Sequence, residues 1–417
     1  MTESNIIVIG GGAAGLIACA FAARHCRQVI LVEKNKILGK KLRITGKGRC
    51  NITNAAEIDE FFKNIPTNPK FLYSALYSFT NDDIIDLLKR LGVETKTERG
   101  GRIFPVSDNA GDVADALSGF ALKKNVKLIH DEAAGLLKSN GRVDGVILKN
   151  GRKLYGKVIL AAGGTSYPLT GSDGSGFRIA AEAGHTITQL KPSLIPVITS
   201  EKWACALAGL SLKNVVLSVY KAGEGGTSKK KKCIFSELGE MLFTHYGVSG
   251  PLVLSASAHM RGDLEYVMTI DLKPGLSIEK LNARILRDFE DELNKDVLNG
   301  LDKLLPKALI PIVLKLSGID ERKKIHSITK EERMRLSEVI KGLTLTPIGF
   351  RPISEAIVTS GGVCVNEINP STMESKLLKG LYFAGEIIDV DAYTGGFNLQ
   401  IAWSTGYLAG MNASGAF

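Results

Sequence analysis

The sequence predicts an α/β fold in which a Rossmann-like domain is interrupted by a β-rich insert and a helical cap. Three observations lead to this fold class. The chain opens with a strand, a glycine-rich turn and a helix, and a small antiparallel meander follows. The last segment again combines an apolar strand, glycines and a helix of small residues. We expect residues 1–190 and 343–417 to form the two parts of the Rossmann-like domain, residues 191–276 the β-rich insert and residues 277–342 the helical cap.

The opening motif is a dinucleotide-binding turn. An apolar run, Ile6–Ile9, leads into Gly10-x-Gly12-x-x-Gly15, and a helix of small residues is predicted from there to about His25. In such a turn the first glycine permits the tight bend, the second lets the backbone approach a pyrophosphate, and the third lets helix and strand pack closely. The helix N-terminus then offers N–H groups and the positive end of its dipole to the phosphates.

The next strand strengthens this interpretation. Val29–Val32 is apolar and ends at Glu33, 23 positions after Gly10 (33 − 10). A carboxylate at this spacing is placed to accept a hydrogen bond from a ribose hydroxyl. A Gly-x-Gly-x-x-Gly motif alone is weak evidence, but the strand before it, the helix after it and the acid beyond it together predict a nucleotide site.

Composition limits the class of protein. The 417 residues are 44% hydrophobic and 23% charged, as in globular proteins of two or three domains. The six cysteines form no CxxC pair, so we expect reduced thiols and neither a disulfide framework nor a metal site. No apolar run reaches membrane-spanning length and no secretory signal is recognisable, which favours a cytoplasmic protein with no membrane partner.

The formal net charge of +10 raises the question of a polyanionic partner. The basic residues are spread along the chain, and the one dense run, Lys229–Lys232, follows a Gly/Ser-rich stretch and is predicted to be the solvated tip of a hairpin. We therefore expect no nucleic-acid partner.

A basic, glycine-rich segment, Leu38–Asn54, shows neither helical nor strand periodicity and is expected to be a long loop. Its cations Lys40, Lys41 and Arg49 follow the predicted phosphate site, which gives them an electrostatic role in holding a dinucleotide; a merely solvated basic loop is the alternative. Further along, Val93–Phe104 is expected to be strand-like.

Residues 126–164 are the second informative stretch. Two Asn-Gly turns connect short strands into a meander, and the last strand is buried and ends in Ala161-Ala-Gly-Gly164. This arrangement is typical of flavin-binding oxidoreductases, whereas a nicotinamide-binding Rossmann domain places a helix there. The predicted strands are Val126–Ile129, Ala133–Leu137, Arg142–Leu148 and Lys153–Leu160.

Two later glycine-rich segments bear on the cofactor. Gly171–Gly176 opens a helix that we interpret as packing close to a flavin rather than as a separate NAD(P) site, because no strand directly precedes it. Gly380–Glu386 reads as a buried strand ending in an acid, and Gly395–Gln400 leads a helix of small residues. Glu386 can accept from ribityl hydroxyls, and N–H groups at the helix start can stabilise negative charge on a reduced ring.

The sequence resembles the YhiN/BaiN-like, or aminoacetone-oxidase-like, family of bacterial NAD(P)/FAD-dependent oxidoreductases over nearly its whole length. The motifs that carry the resemblance are GGGAAG, GKKLRITGKGRCNITN, GGRIFPVSDNA, AAGGTSYPLTGSDGSGF, MLFTHYGVSGP and GLYFAGEIIDVDAYTGGFNLQIAWSTGYLAG. The resemblance implies a discontinuous FAD domain of the two-dinucleotide-binding type. It also implies that the glycine turn contacts the pyrophosphate, that Glu33 contacts the adenosine ribose and that the backbone of Ala133 contacts adenine. Glu386, Asn398 and Leu399 would contact the ribityl chain and the flavin ring.

Together these considerations predict one set of FAD-binding residues: Gly10, Gly12, Ala13, Ala14, Gly15, Glu33, Lys34, Lys40, Lys41, Gly46, Arg49, Cys50, Asn51, Ala133, Ala162, Gly163, Gly164, Gly385, Glu386, Gly396, Asn398 and Leu399.

The resemblance implies an enzyme that transfers hydride through its flavin, with NADH or NADPH as a transient electron donor. We expect a reductase of a conjugated C=C bond in a small, steroid- or bile-acid-like substrate. Two alternatives stay open: an amine oxidase that uses oxygen, and a flavoprotein with a tRNA-related or regulatory role. The candidate proton donors are His245 and Tyr393, each of which has a purely structural role as its alternative. The oligomeric state is not predicted.

Overall fold

The structure, a computed structural model, describes residues 5–221, 232–260 and 265–416. The basic run that we interpret as a hairpin tip lies outside the described residues except for Lys232. The chain divides into two compact units: unit 1 comprises residues 1–193 and 352–417, and unit 2 comprises residues 194–351.

Unit 1 is built on a five-stranded parallel sheet. Two of its strands, Ile6–Ile9 and Val29–Val32, are fully buried apolar runs, as expected for a parallel sheet covered on both faces, whereas the edge strand Val126–Ile129 is only partly buried. Because all strands run the same way, the residues that follow them meet at one edge of the sheet, where nucleotides bind in this fold. The strands, in spatial order, are Leu381–Phe383, Lys157–Leu160, Ile6–Ile9, Val29–Val32 and Val126–Ile129. The predicted Rossmann-like α/β class is confirmed.

The predicted strand Lys153–Leu160 is wrong as a single element. Lys153–Tyr155 closes the meander by pairing antiparallel with residues 145–147, whereas Lys157–Leu160 pairs parallel with Ile6–Ile9. Gly156 separates the two, and a Cβ there would lie 2.2 Å from the carbonyl oxygen of Asn5. The chain therefore changes sheets at a residue that must lack a side chain. The other two meander strands are Ala133–Ser139 and Arg142–Leu148.

The predicted strand-like piece Val93–Phe104 is also divided. It forms a hairpin, Thr95–Glu98 with Arg102–Pro105, that reverses at two glycines with positive φ, Gly100 and Gly101. The pair Thr53–Asn54 adds a third strand. A two-stranded sheet joins Lys191–Ser193 with Val358–Ser360.

The helices of unit 1 cover the parallel sheet and its edges. The first ends at Ala22 rather than near His25, because Arg24 and His25 donate to carbonyls three residues back and close a turn instead of continuing the helix. The helices are Ala13–Ala22, Thr45–Gly48, Ile58–Lys63, Tyr73–Ser78, Asn81–Arg90, Ala110–Ala121, Ser175–Glu182 and Phe397–Ser414. The short helix Thr45–Gly48 interrupts the expected loop Leu38–Asn54 and contains two residues with positive φ, Gly46 and Lys47.

Unit 2 combines the β-rich and helical parts of the insert around one hydrophobic core. Its seven-stranded antiparallel sheet has the spatial order Leu343–Leu345, Tyr266–Asp271, Ser211–Lys221, Lys232–Thr244, Gly247–Ser249, Val197–Thr199 and Pro347–Phe350. Residues 343–350, which the sequence analysis assigns to the returning segment, pair with this sheet and belong to unit 2. The helices are Lys202–Ala206, Pro251–Ser257, Ile278–Glu290, Ile310–Leu316 and Lys330–Lys341.

Within the described part of the chain, no helix is both long enough and apolar enough to cross a bilayer.

Candidate dinucleotide-binding site

The glycine turn is packed tightly at its first and third positions and open at its second. A Cβ on Gly10, whose φ is +102°, would lie 2.4 Å from the carbonyl oxygen of Ala161, and one on Gly15 would lie 1.8 Å from that of Gly10. A Cβ on Gly12 would meet no atom within 4 Å. The open side of the turn therefore leaves room for a group to approach the backbone at Gly12.

The helix that begins at Ala13 presents its N-terminus to this open space. Gly12 is the N-cap residue and supplies no side-chain hydrogen bond. The first N–H groups of a helix have no partner within the helix, so those of Ala13 and Ala14 are donors for an anion.

Glu33 is held beside the turn. Its side chain is 9% exposed, and one carboxylate oxygen accepts from the N–H of Gly11 at 2.7 Å. The other oxygen accepts from both the backbone N–H and the side-chain amide of Asn35, each at 2.7 Å. These bonds fix the carboxylate, and the oxygen bonded to Gly11, which accepts one hydrogen bond in the described structure, keeps acceptor capacity for a ribose hydroxyl.

Lys41 and Glu386 form an ion pair at the carboxyl edge of the sheet. Lys41 Nζ lies 2.7 Å from Glu386 Oε2 and also contacts Ser166 Oγ at 2.6 Å. The second oxygen of Glu386 accepts from Ser166 Oγ at 3.0 Å and from the N–H of Thr359 at 2.9 Å. A Cβ on Gly164 would lie 2.9 Å from that oxygen, so the Ala162–Gly164 turn closely adjoins the pair.

Two neighbouring lysines connect the nucleotide strands to the segment before helix Ser175–Glu182. Lys34 pairs with Asp173 at 2.7 Å, and Lys40 donates to the carbonyl of Leu169 at 2.7 Å. Both cations therefore lie beside the Glu33 turn while engaged by other partners.

Arg49 is engaged by two carboxylates, Glu98 and Asp108, and lies over the ring of Phe104 at 4.2 Å. The hydrogen bonds that its guanidinium donates to Glu98 and Asp108 raise the pKa of Arg49 above its usual range. Arg49 therefore packs against the hairpin Thr95–Pro105, through Glu98 and Phe104.

Gly46 lies in the turn that precedes Cys50, which is fully buried. Burial raises the pKa of the Cys50 thiol to about 12, so the thiol stays protonated and is not a nucleophile at neutral pH.

Residues 51–54 hold the start of the last helix. In the amide orientation that satisfies its neighbours, Asn51 accepts from the N–H of Gly396 at 3.0 Å. Asn54 Nδ2 donates to the carbonyl of Gly395 at 2.9 Å, and Thr53 Oγ1 donates to Gln400 Oε1 at 2.7 Å. Gly396 has φ +100°, and a Cβ there would lie 2.2 Å from the carbonyl oxygen of Thr53. The loop and the helix start therefore form one rigid piece.

The last helix packs directly on the first. A Cβ on Gly406 would lie 2.4 Å from the carbonyl oxygen of Ala14, and one on Gly410 would lie 2.5 Å from that of Ala18. Gly385 approaches Ala14 in the same way, because its Cβ would be 2.8 Å from the Ala14 methyl group. The two ends of the chain thus build one site, with two helix N-termini beside the same sheet edge.

With this geometry in place, the comparison with protein families is decisive, because the HI0933-like protein Rossmann domain matches residues 4–412. The chain belongs to the HI0933-like family. It is therefore an FAD-dependent oxidoreductase of the YhiN/BaiN-like type, as the sequence resemblance implies.

Full-length relatives of this HI0933-like chain include two bacterial enzymes. The 3-dehydro-bile acid delta(4,6)-reductase of Clostridium scindens is 32% identical over 99% of each chain. The ribosomal RNA dihydrouridine synthase of Haemophilus influenzae is 31% identical over 99% of this chain and 98% of its own. Among solved structures, 3-ketosteroid delta1-dehydrogenase from Sterolibacterium denitrificans, in complex with 1,4-androstadiene-3,17-dione, aligns over all of both chains with 15% identity and a TM-score of 0.55. That likeness shows a shared fold.

The residues of this HI0933-like chain fit FAD. The space at Gly12, the uncapped helix start at Ala13 and the fixed carboxylate of Glu33 suit the pyrophosphate and the adenosine ribose. Ala133, where adenine is expected, is buried at the first position of the meander. The ribityl chain and the ring would be bound by the remaining groups, which are Lys41, Glu386 and the N-terminus of Phe397–Ser414.

At the ring end, the side chain of Asn398 holds the preceding loop. Its oxygen accepts from the N–H of Ala392 at 2.9 Å, and its amide donates to the carbonyl of Ala392 at 2.7 Å. Leu399 packs against the core of the unit. The helix start therefore leaves backbone N–H groups available to a ligand, while the Asn398 side chain positions the residues before it.

The two candidate proton donors lie in different units. Tyr393 belongs to unit 1, where its carbonyl accepts from Asn398 Nδ2 and its N–H donates to the carbonyl of Asn64 at 2.9 Å. His245 belongs to unit 2, exposed in the turn between two strands with its ring 4.7 Å from that of Tyr246.

Sequence reasoning missed several residues of the site. Ser166 and Thr359 contact Glu386 only through the tertiary fold, and Thr359 carries no sequence signal of its own. Asn35 is a local partner of Glu33, two residues after it, so its position next to the acid was the signal that could have found it. Asp391 was missed as well. It is 2% exposed, one of its oxygens accepts from Ser193 Oγ at 2.7 Å, and the other is buried without a partner in the described structure.

Proposed function

We propose that this protein reduces a carbon–carbon double bond that is conjugated to a carbonyl group, using electrons from NADH or NADPH. The observation that carries the proposal is the FAD site built from both ends of the chain, with a helix N-terminus at the end assigned to the flavin ring. Full-length relatives named as a delta(4,6)-reductase and as a dihydrouridine synthase support the same direction, because both names describe the saturation of a double bond.

The chemistry that FAD supplies when bound is hydride transfer between its ring and a carbon of the substrate. Conjugation to a carbonyl makes one carbon of the double bond electron-poor and directs the hydride to it. The other carbon then takes a proton, so the substrate gains two electrons and two hydrogens while NAD(P)H is oxidised to NAD(P)⁺.

The protein's own contribution is binding, orientation and charge. Glu33 orients the adenosine end, and the pair Lys41–Glu386 orients the ribityl end. The first N–H groups of Phe397–Ser414 favour negative charge next to the ring. These groups are held in place before any substrate arrives, so little reorganisation is needed during the reaction.

Tyr393 is our first candidate for the proton donor, because its backbone is fixed to the same helix start through Asn398. His245 is the second. A solvent isotope effect together with the pH profile of substrate reduction distinguishes them. Tyr393→Phe should slow reduction of the substrate and leave reduction of the flavin by NAD(P)H unchanged if Tyr393 is the donor, whereas His245→Gln should do so if His245 is.

Anaerobic titration of the purified, FAD-loaded protein tests the proposed function. We expect NADH or NADPH to bleach the flavin, and a 3-oxo steroid with a conjugated double bond, or a uridine in RNA, to restore its colour. Bleaching by an amine, with colour restored by oxygen and formation of peroxide, would instead establish the amine-oxidase alternative and overturn the proposal.

The substrate class divides into a small unsaturated ketone, which we expect from the sequence, and a uridine base of RNA. The RNA candidate is favoured by the net charge of +10 and by the name of the Haemophilus influenzae relative. The tRNA-related alternative of the sequence analysis belongs to this second class.

A further inference from the structure

Three aromatic rings are stacked at the surface of unit 1. The rings of Phe62 and Tyr73 lie 4.3 Å apart with planes at 24°, and Tyr73 and Tyr77 lie 6.3 Å apart with planes at 6°. Tyr73 is 49% exposed and Tyr77 is 56% exposed. We call Phe62, Tyr73 and Tyr77 the aromatic stack. Single exposed apolar side chains are ordinary, but a contiguous exposed aromatic patch indicates an interaction surface.

The chain that leads into the aromatic stack also lines an open groove of about 530 Å³. Its walls come from residues 68–71 and from residues between 365 and 376, and they carry two exposed lysines, Lys70 and Lys376. Neither lysine is paired with a carboxylate within residues 5–221, 232–260 and 265–416. Ser74 Oγ, between the two tyrosines, lies 3.4 Å from Ser371 Oγ and joins the two walls.

This surface is connected to the ring end of the FAD site. Asn68, in the groove wall, donates to the carbonyl of Asp389 at 2.7 Å. Asn64, two residues after Phe62, accepts from the N–H of Tyr393 at 2.9 Å. A ligand bound to the aromatic stack and the groove would therefore contact residues 62–73. The same segment forms hydrogen bonds to the loop 389–393, which precedes the helix Phe397–Ser414.

We propose that the aromatic stack and the lysine groove bind single-stranded RNA. Aromatic rings with exposed faces stack on unpaired bases, and lysines along a groove neutralise the phosphates. The net charge of +10 suits a polyanion. RNA binding here departs from the expectation of no nucleic-acid partner, which rests on the spread of the basic residues along the chain, because the fold brings Lys70 and Lys376 to one groove.

The acidic residues of the groove wall are already engaged, because Glu367 accepts from the N–H of Thr186 at 2.9 Å and contacts His185, and Glu374 accepts from the N–H of Gly380 at 2.8 Å. On helix Ile58–Lys63, Glu60 is paired with Lys63. This proposal concerns binding alone and stands whether or not RNA is the substrate.

Binding of a fluorescein-labelled oligouridylate to the FAD-loaded protein tests it, measured by anisotropy at several salt concentrations. Base stacking contributes about 1–3 kcal/mol per base, so the double substitution Tyr73→Ala, Tyr77→Ala should weaken binding at least about tenfold. Tyr155→Ala is the matched control, because Tyr155 is 62% exposed on the meander of the same unit and should change binding less than about twofold.

The contribution of the two lysines is measured separately, by the salt dependence of RNA binding. Lys70→Gln with Lys376→Gln should reduce the salt dependence of log K by about 1.4, two phosphates at about 0.7 each for a single strand. Bound FAD and the thermal unfolding midpoint should match those of the wild-type protein in every variant, which shows that each has folded.

The proposal is overturned if the wild-type protein does not bind the oligouridylate at low salt, or if the tyrosine variant binds as well as Tyr155→Ala. A wild-type dimer that the tyrosine substitutions dissociate, without RNA binding, would instead assign this surface to self-association. The flavin titration with NAD(P)H is independent of all these outcomes, so failure of RNA binding leaves the proposed reduction standing.

Discussion

Lys41 and Glu386, 345 positions apart in the sequence, form a 2.7 Å ion pair at the carboxyl edge of the parallel sheet. Their side chains are 22% and 20% exposed, so the pair is only partly screened by solvent. Ser166 contacts both partners. Lys41, from the basic segment Leu38–Asn54, and Glu386, which follows the strand Leu381–Phe383, therefore act as one unit.

This coupling predicts non-additive substitutions. Lys41→Met and Glu386→Gln should each weaken FAD retention, because each leaves a partly buried group without its partner. The double variant should lose less than the sum of the single losses, with a coupling free energy of about 1 kcal/mol. FAD dissociation constants of the four proteins measure it; strictly additive losses would show that the two side chains act independently.

The open and closed sides of the glycine turn predict opposite effects of the same substitution. Gly12 has φ −84° and ψ −167°, which alanine adopts easily, and a Cβ there meets nothing. Gly12→Ala should therefore leave the free energy of unfolding of the apoprotein within about 1 kcal/mol of wild type and greatly reduce FAD binding.

Gly15→Ala is the matched variant, because its Cβ would lie 1.8 Å from the carbonyl oxygen of Gly10. It should destabilise the apoprotein itself by several kcal/mol, about 4 or more, or prevent folding. Urea unfolding without FAD measures the stability of each apoprotein, and FAD titration measures its affinity for the cofactor. Together they distinguish the effect of Gly12→Ala from that of Gly15→Ala. Equal loss of stability in both variants would contradict the assignment of the Gly12 side as the cofactor space.

Asn54 predicts how strongly the loop holds the flavin-ring helix. Its amide donates to the carbonyls of Gly100 and Gly395, and its oxygen accepts from the N–H of Ala56. Asn54→Asp keeps the shape but turns the donor into an acceptor that faces two carbonyl oxygens. We expect a loss of about 2 kcal/mol or more in the free energy of unfolding, together with weaker FAD retention.

Asn150→Asp provides the control for this substitution. Asn150 is exposed in a hairpin turn, where its side-chain oxygen accepts from the N–H of Arg152, and aspartate suits this turn position as asparagine does. Its stability should stay within about 0.5 kcal/mol of wild type by the same urea measurement. A comparable loss in both variants would mean that the Asn54 amide is not essential to the turn.

A buried histidine predicts the pH dependence of stability. His185 contacts Glu367 Oε2 at 3.0 Å and Ser375 Oγ at 2.8 Å. Burial lowers the pKa of His185, and its contact with Glu367 offsets part of that shift. Between this lowered pKa and the ordinary value of about 6.5, the unfolded chain binds a proton that the folded chain does not. Stability should therefore fall as the pH is lowered through about 6.5.

His185→Gln removes this contribution. Urea unfolding of wild type and variant from about pH 7.5 to 5.5 should give slopes that differ by up to about 1.4 kcal/mol per pH unit, with the wild type more sensitive to acid. Burial also lowers the pKa of His259, in unit 2, but this contribution is the same in both proteins and cancels in the difference. Identical slopes would show that His185 keeps its ordinary titration in the folded chain.

Local sequence was sufficient for the elements that follow a strict pattern. The strands Ile6–Ile9 and Val29–Val32, and the meander with its Asn-Gly turn at Asn140, are confirmed. The same local patterns did not reveal that Gly156 divides one apolar run between two sheets. The reason is physical, since the pairing partner of each half lies elsewhere in the chain.

The nucleotide turn, the acid at Glu33 and the alternation of strands and helices could be predicted from local patterns, because they depend on hydrophobic period, glycine conformation and spacing along a short stretch. The contacts between distant groups required the folded chain. It paired Lys41 with Glu386, directed Arg49 to Glu98 and Asp108, and placed Asn51 and Asn54 on the turn at Gly395 and Gly396. The identity of a charged side chain's partner depends on distance in space, which a chain without its fold does not define.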